Sequence, residues 1–535
     1  MTKRRSSRYL PMKLILLITS LLLLGCSPAH EPAAPAKVKN IILLIGDGMG
    51  PAQFGLLETY ARRAPNSIYG ERPTAVSQLM QQGKTLLSDT GPHNALVVDS
   101  ACSATQLAIG EASGSEMIGL NARGDRVETV LQQAKRLGKA TGLVSDTRIT
   151  HATPASFAAH QTHRRFENAI ATDLLHSGVD VMLSGGLRYF LPDNPALISP
   201  QQQKNIVAAG LPVQSKRTDS RNLLTVAQQQ GYQLAFNREQ LQTVDTFPVL
   251  GLFASSALPD ALLENSQPQR TQPSLTEMTE AALNLLSQHE QGFFLMVEGG
   301  QIDWAGHNND AGGLLHELLR FDETIQVVVN WAEKRNDTLV ILTADHETGG
   351  FGFSYSAADI PAPTTLPGVA FAGQEFAPNF NFGELSLLDR LYNQQQSFYT
   401  LWAEASRNGE HGKPTPASLI NAVNNSMDFR ITEEQAQRIL RRSPNRFYRA
   451  GHSDLSAQEF PHIHDFSAFY VYGDDVHLNL LARELAAQQN VVWSTGTHTA
   501  SPVPVIVAGP DYALEQFSGF MTHAQVGALM KQLLH

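Results

Sequence analysis

Cysteine is almost absent: in 535 residues only Cys26 and Cys102 occur. A disulfide-built scaffold is thereby excluded. No apolar run reaches the roughly 20 residues that a helix needs to cross a bilayer. Positive charge is also scarce, with 40 Lys and Arg against 50 Asp and Glu and a net charge of −10. A chain of that sign is a poor partner for nucleic acid and is repelled by anionic surfaces, so no nucleic-acid binding is expected. There is no internal repeat, no Walker loop and no G-x-S-x-G elbow. GDGMG at residues 46–50 has alternating glycines and runs into Pro51, so it is not the G-x-G-x-x-G of a dinucleotide site. Pro51 suits the first position of a helix instead.

What is present begins with an export signal. A basic flank, MTKRRSSRYLPMK, precedes the eleven-residue stretch LILLITSLLLL (14–24). That is the length of a secretory h-region rather than of a span; a buried helix is the alternative reading. The run continues into LLGCSP, which resembles the lipobox of bacterial lipoproteins. Residues 1–25 are thus expected to be a lipoprotein-type signal peptide, with Met12 an alternative start. Residues 26–39 become a tether lipidated at Cys26. The protein is expected to be exported and lipid-anchored to a bacterial membrane, facing the periplasm or the cell surface. Losing residues 1–25 removes five basic and no acidic residues, taking the net charge to −15. With Cys26 acylated, no intrachain disulfide is available.

Several apolar runs end abruptly in chemically active residues. KNIILLIGDG reads as a strand leading to Asp47, ALVVDS as a strand leading to Asp99 and Ser100, and KATGLVSDTRITHATP as one leading to His151 and Thr153. FFLMVEGGQIDWAGH leads to Glu298, Asp303 and His307, expected on a loop, and DTLVILTADHE to Asp345 and His346. His498, in GTHTASPVPVIV, stands just before a further strand. Between them, AGGLLHELLRFDETIQVVVNWAEK spaces Leu314, Leu315, Leu318, Ile325, Val328 and Val329 at helical intervals. Alternating strands and helices imply an α/β sandwich around a mostly parallel sheet, with its site at the strands' C-terminal ends. Residues about 355–490, rich in Pro, Asn and Gln and weaker in periodicity, read as a large insertion covering the site or building a dimer contact.

Imidazole and carboxylate together suit zinc, and oxygen-only sets suit magnesium. Asp303 and His307, four apart, can face one ion, and His498 can complete three ligands with a fourth position open. Asp345 and His346 can serve one ion or two. His452, His462, His464 and His477 are rival imidazoles, each expected at the surface. Ser100 opens a helix, where an anion or alkoxide is stabilised, although a plain N-cap serine fits the same position.

GDGMG, VDSACSAT, HATPASFAAH, VEGGQIDWAGH, TADHETGG and GTHTASPVP resemble, in order, the motifs of the alkaline phosphatases, from about Asn40 to the C-terminus. The resemblance implies a three-layer α/β catalytic domain over residues 40–535. Its reaction would be metal-dependent hydrolysis of phosphate monoesters through a phosphoserine, with an alkaline optimum and broad leaving-group tolerance. It makes Ser100 the nucleophile and Arg164 the phosphoryl-gripping arginine, with Arg165 the neighbouring candidate. Asp303, His307 and His498 become ligands of a first zinc, and Asp47, Asp345 and His346 of a second. Asp47, Thr153 and Glu298 become ligands of a magnesium, giving two Zn2+ and one Mg2+ per subunit, and the subunits are expected to pair as a homodimer.

Two positions depart from some members: His151 stands where an aspartate neighbours the third metal, and Trp304 where a lysine lies near the phosphate. The pair resembles a particular bacterial branch. His151 is then expected to act on the third ion through water, and Trp304 to contact substrate without a charge. Cys102, two residues past the nucleophile, is expected to be a buried packing residue. Sulfatases of the superfamily carry C/S-x-P-x-R, which Ser100-Ala101-Cys102-Ser103-Ala104 does not match. Diesterases usually carry a threonine nucleophile and lack the Glu–Thr magnesium set. A non-catalytic metal-binding lipoprotein would need the ligands but neither Ser100 nor Arg164.

Overall fold

The computed structural model describes residues 37–267 and 269–535. The export signal and Cys26 lie outside the described residues. Ten strands form the main sheet: β1 (Asn40–Gly46), β2 (Lys84–Asp89), β3 (Ala140–Arg148), β4 (Val181–Gly185), β5 (Gln233–Ala235), β6 (Val249–Leu252), β7 (Phe293–Gly299), β8 (Thr338–Thr343), β9 (Val503–Ala508) and β10 (Phe520–Thr522). Their order is β10-β2-β9-β8-β1-β7-β3-β4-β6-β5. Only β9 runs against its neighbours; every other pairing is parallel.

Continuous apolar runs suit strands buried on both faces, and the core shows this burial. Ile42, Leu44, Leu295, Val297, Val340 and Leu342 pack into one hydrophobic cluster. Their alternates Ile41, Leu43, Ile45, Phe294, Met296, Leu339 and Ile341 pack into another. With period-two side chains, each central strand feeds both faces, so a continuous apolar run is what a covered parallel strand requires. Helices α1 (Pro51–Arg63), α4 (Leu275–Leu286) and α6 (Ala311–Ala332) cover the first face. Helices α2 (Ser100–Ile109) and α3 (Val130–Arg136) cover the second. The three layers of the expected α/β sandwich are thus present. No helix of the described residues is long and apolar enough to cross a membrane.

Three local expectations fail: the strand at 95–98, the loop under Asp303 and His307, and the surface position of His477. Residues 95–98 form no strand, and Leu96 is 85% exposed: an apolar run without a covering layer gains nothing from pairing. Asp303 and His307 are carried not by a loop but by the short helix α5 (Gln301–His307), which places them one turn apart on one side. The stretch 355–490 contains well-formed helices, including Phe398–Arg407, Pro416–Ser426, Glu433–Leu440 and α7 (Val476–Gln489). Their apolar faces join the first cluster through Leu401, Leu419, Ile439 and Leu481. His477 is buried rather than at the surface, its ring stacked on Trp402.

Candidate active site

Strand register assembles the centre. Ile45 pairs with Glu298 on one side and Thr343 on the other, and Ser145 pairs with Glu298. Glu298 therefore lies one residue before the end of β7, between β1 and β3, while Asp47 and Asp345 stand two residues past Ile45 and Thr343 respectively. Gly48 follows at φ +72°, and an added Cβ would lie 2.8 Å from Asp303 Cα and from Thr348 Oγ1. Only glycine lets β1 turn this close to α5. The turn aims Gly48 N–H at Asp345 Oδ1, 3.0 Å away.

Ser100 opens α2, but it is not the cap. Asp99 is, accepting from Ala101 N at 3.1 Å and Cys102 N at 3.4 Å. Ser100 Oγ is left pointing inward, 3.1 Å from His346 Nε2 and almost fully buried. Asp99 also accepts from Arg164 Nη1 at 3.3 Å, so one carboxylate caps the helix and fixes the arginine. Arg164 Nη2 donates to His151 Nε2 at 3.1 Å. Arg165 is exposed, with its guanidinium over Phe166. Trp304 is half-buried, edge-on to the His151 ring at 6.0 Å between centroids. Cys102 is buried and unpaired, and burial raises its thiol well above the usual range.

Three sets of donor atoms, each within 4.8 Å of one another, could hold cations: Asp303, His346 and His498; Asp47, Asp345 and His346; Asp47, His151 and Glu298. His307 joins the first, its Nε2 lying 3.1 Å from His498 Nε2 and 3.3 Å from Asp303 Oδ2. The backbone sets the imidazole tautomers. His307 Nδ1 faces Gly496 O at 2.8 Å and His498 Nδ1 faces Val98 O at 2.8 Å, which frees both Nε2 atoms as ligands.

The fit to cations is visible in what lacks a partner. Both carboxylate oxygens of Asp47, Asp345 Oδ2, Glu298 Oε1, Thr153 Oγ1 and His151 Nδ1 are buried without a hydrogen bond. Buried polar atoms are rarely left so, and these converge where the donor sets lie. With no cation beside them, burial and then Asp345 push Asp47 well above the usual carboxylate range. Burial also takes Glu298 to about 7 and Asp345 to about 8. Burial acts on Asp303 in the same direction, but His307 and His498 outweigh it and hold that carboxyl well below its ordinary value. Burial, then Arg148 and Arg164, keep His151 neutral. With Nε2 accepting from Arg164, its proton sits on Nδ1, which is buried without a hydrogen-bond partner beside the Asp47–Glu298 set. That arrangement suits a bridging water better than direct ligation.

The residues singled out by motif therefore meet in one centre, and they line or underlie a cavity of about 1290 Å3, which the exposed Arg165 also lines. Several contributors had not been singled out. Ser145 and Thr147 donate to Glu298 Oε2. Thr348 bridges Asp303 and His346 Nδ1. Tyr472 and Asn479 enter the cavity from the insertion. Thr348 sits inside TADHETGG and was open to suspicion there. Nothing local marks Tyr472 or Asn479.

Residues 38–406 match the family model described as alkaline phosphatase. Alkaline phosphatase 4 of Bacillus subtilis (strain 168) is 33% identical over 357 residues, covering 64% of this chain and 70% of its own length. Alkaline phosphatase 3 of the same organism is 36% identical over 323 residues, covering 59% of this chain and 62% of its own. Among solved structures, Thermus thermophilus alkaline phosphatase superposes with a TM-score of 0.72 at 26% identity, covering 95% of each chain.

Proposed function

The chain belongs to the alkaline phosphatase family, and on that premise we propose that this cavity hydrolyses phosphate monoesters by passing the phosphoryl group to Ser100 Oγ and then to water. One observation carries the reading: a serine hydroxyl, buried at a helix N-terminus, stands 3.1 Å from His346 and beside an arginine fixed by the helix's own cap. Two Zn2+, held by Asp303, His307 and His498 and by Asp47, Asp345 and His346, with one Mg2+ among Asp47, Thr153 and Glu298, would supply the charge that lowers hydroxyl and water pKa values and offsets charge on the transferring oxygens.

The chain's own groups supply position. Asp99 keeps Ser100 at the helix start by capping α2, and the positive end of the helix favours the alkoxide over the hydroxyl. Arg164, held by Asp99 and His151, keeps further N–H donors for two phosphoryl oxygens, which a guanidinium meets in a fork. Burial excludes bulk water around Oγ, so each of these charges acts with little screening. His151 holds its Nδ1 proton toward the magnesium set and acts there through water. A parent protein loaded with both metals is expected to hydrolyse an aryl phosphate monoester far faster than the matching diester at about pH 9. A diester preference would instead place it with the phosphodiesterases.

Trp304 contributes a ring but no charge beside the phosphate. Trp304→Lys is expected to tighten inhibition by inorganic phosphate several-fold, since a cation near a dianion in a low-dielectric cavity is attractive. An unchanged inhibition constant would remove Trp304 from the phosphate's surroundings.

We further propose anchoring through lipidated Cys26 and pairing of two copies. The lipobox-like LLGCSP supports the first, and the run of exposed Val369, Phe376, Phe380 and Phe382 within the insertion supports the second. Cys26→Ser is expected to move the protein from the membrane fraction to the soluble one, where sedimentation reads its mass as one chain or two.

A further inference from the structure

We propose that the insertion is a working part of the first metal site, with Asn479 as the residue that positions His307. The inference rests on the reading of His307 as a ligand. Helix α5 ends at His307, and the chain then turns through Asn308 and Asn309 into α6. Asn309 sits at φ +55° and closes the helix end, its N–H donating to Gly306 O at 3.0 Å while Asp310 N–H donates to Ala305 O at 3.0 Å. Asn479, the fourth residue of α7 and buried, grips that turn from outside. Its Nδ2 donates to His307 O at 2.6 Å and to Asn309 Oδ1 at 2.9 Å. Asn309 passes the link on, donating to Gly306 O at 2.9 Å and to Thr495 O at 3.0 Å.

Three further contacts come from the same insertion. Gln394 Nε2 and Phe398 N donate to the two oxygens of Asp310, at 2.8 Å and 2.7 Å, and hold the start of α6. Tyr472 lays its ring edge-on to His307, 4.7 Å between centroids. Gly496, whose carbonyl fixes the His307 tautomer, is pressed by insertion residues: an added Cβ would lie 2.8 Å from Tyr470 Cδ1 and 3.1 Å from Asn479 Oδ1. One side chain, Asn479, thus holds the carbonyl of His307 and helps restrict the residue that orients its ring to glycine. The groups holding a ligand imidazole typically set metal affinity by about 10–100-fold.

The test uses the full chain loaded with Zn2+ and Mg2+. Zn2+ release to a chromophoric chelator is followed for the parent, Asn479→Ala, and Asn309→Gly, which keeps the positive φ while removing the amide. Both variants are expected to release one of the two zinc ions about 10–100-fold more readily, with the other unchanged. Their kcat/KM should recover in excess Zn2+. Gln488→Ala is the control: Gln488 exchanges hydrogen bonds with Arg430 inside the insertion and touches neither α5 nor the cavity. It is expected to leave zinc release as in the parent. Parent-like zinc release in both site variants would overturn the proposal, as would equal loss of both zinc ions or the same loss in Gln488→Ala. His307→Ala run alongside separates the two levels of the argument, because retention of both zinc ions there would sink the ligand assignment itself.

Discussion

Ser100→Ala is expected to lower kcat/KM for an aryl phosphate monoester by roughly 10³-fold or more while zinc content stays at the parent level. The expectation follows from where the hydroxyl sits. Hydrolysis of such esters needs up to about 10²¹-fold acceleration, so no single group carries it all. A nucleophile nonetheless divides one difficult displacement into two easier ones, and losing it forces water to attack in a space shaped for Oγ. Three to six decades correspond to about 4–8 kcal/mol at about 1.4 kcal/mol per decade, a magnitude that packing effects of one buried oxygen do not reach. Asp99, not Ser100, caps α2, so the substitution leaves the helix start intact. Loss of activity therefore reads chemistry rather than folding. Activity within tenfold of the parent, with zinc bound, would remove Ser100 from the reaction. No phosphatase activity even in the zinc-loaded parent would favour a binding role.

The contrast between what the sequence disclosed and what it withheld follows the range of the interactions. Asp47, Glu298, Asp345 and His346 were readable because each ends a strand buried on both faces, and a continuous apolar run is a local signal. Residues 95–98 carried the same signal without the covering layer, and so misled. The helix under Asp303 and His307 follows a Gly-Gly break with no side-chain cap, so nothing announced it. In the insertion, local signals of helix are present. Thr415 before Pro416 and Thr432 three before Gln435 both form capping boxes. Asn479 had no such mark, because its partner His307 lies 172 residues away and only the fold brings them together. Asp99 was visible as a strand-end acid, but its double duty as helix cap and arginine partner depends on Arg164 returning from 65 residues on.

Stripping the metals is expected to abolish hydrolysis and also to change how stability responds to pH. In the metal-free centre Asp345 keeps its proton to about pH 8 and Glu298 to about 7, and Asp47 is raised as well, with burial the first cause in each. In the unfolded chain the same groups ionise near 4. Above that, the folded state holds protons that the unfolded state has released, so the free energy of unfolding falls as pH rises. The stability these groups lend is complete below the unfolded values and is lost as pH passes the folded ones. Histidines held neutral by burial, such as His346 and His151, act in the opposite sense, but only below about pH 6.5. Asp303, held low, is ionised in both states throughout that range. His307 is raised too, burial being outweighed by Asp303, and acts in the same sense as the carboxylates. The window is therefore about pH 6.5 to 8, where groups that hold extra protons in the folded state dominate the centre. Bound cations replace those protons and need the carboxylates ionised, so they bind more tightly as pH rises. The gap in Tm between loaded and metal-free protein is thus expected to widen across the window. Titrating groups outside the centre, such as Glu317, shift both forms alike and drop out of the difference. Calorimetry at the two ends of the window measures it. A constant or narrowing gap would mean that the orphaned oxygens of Asp47, Asp345 and Glu298 are satisfied by something other than cations.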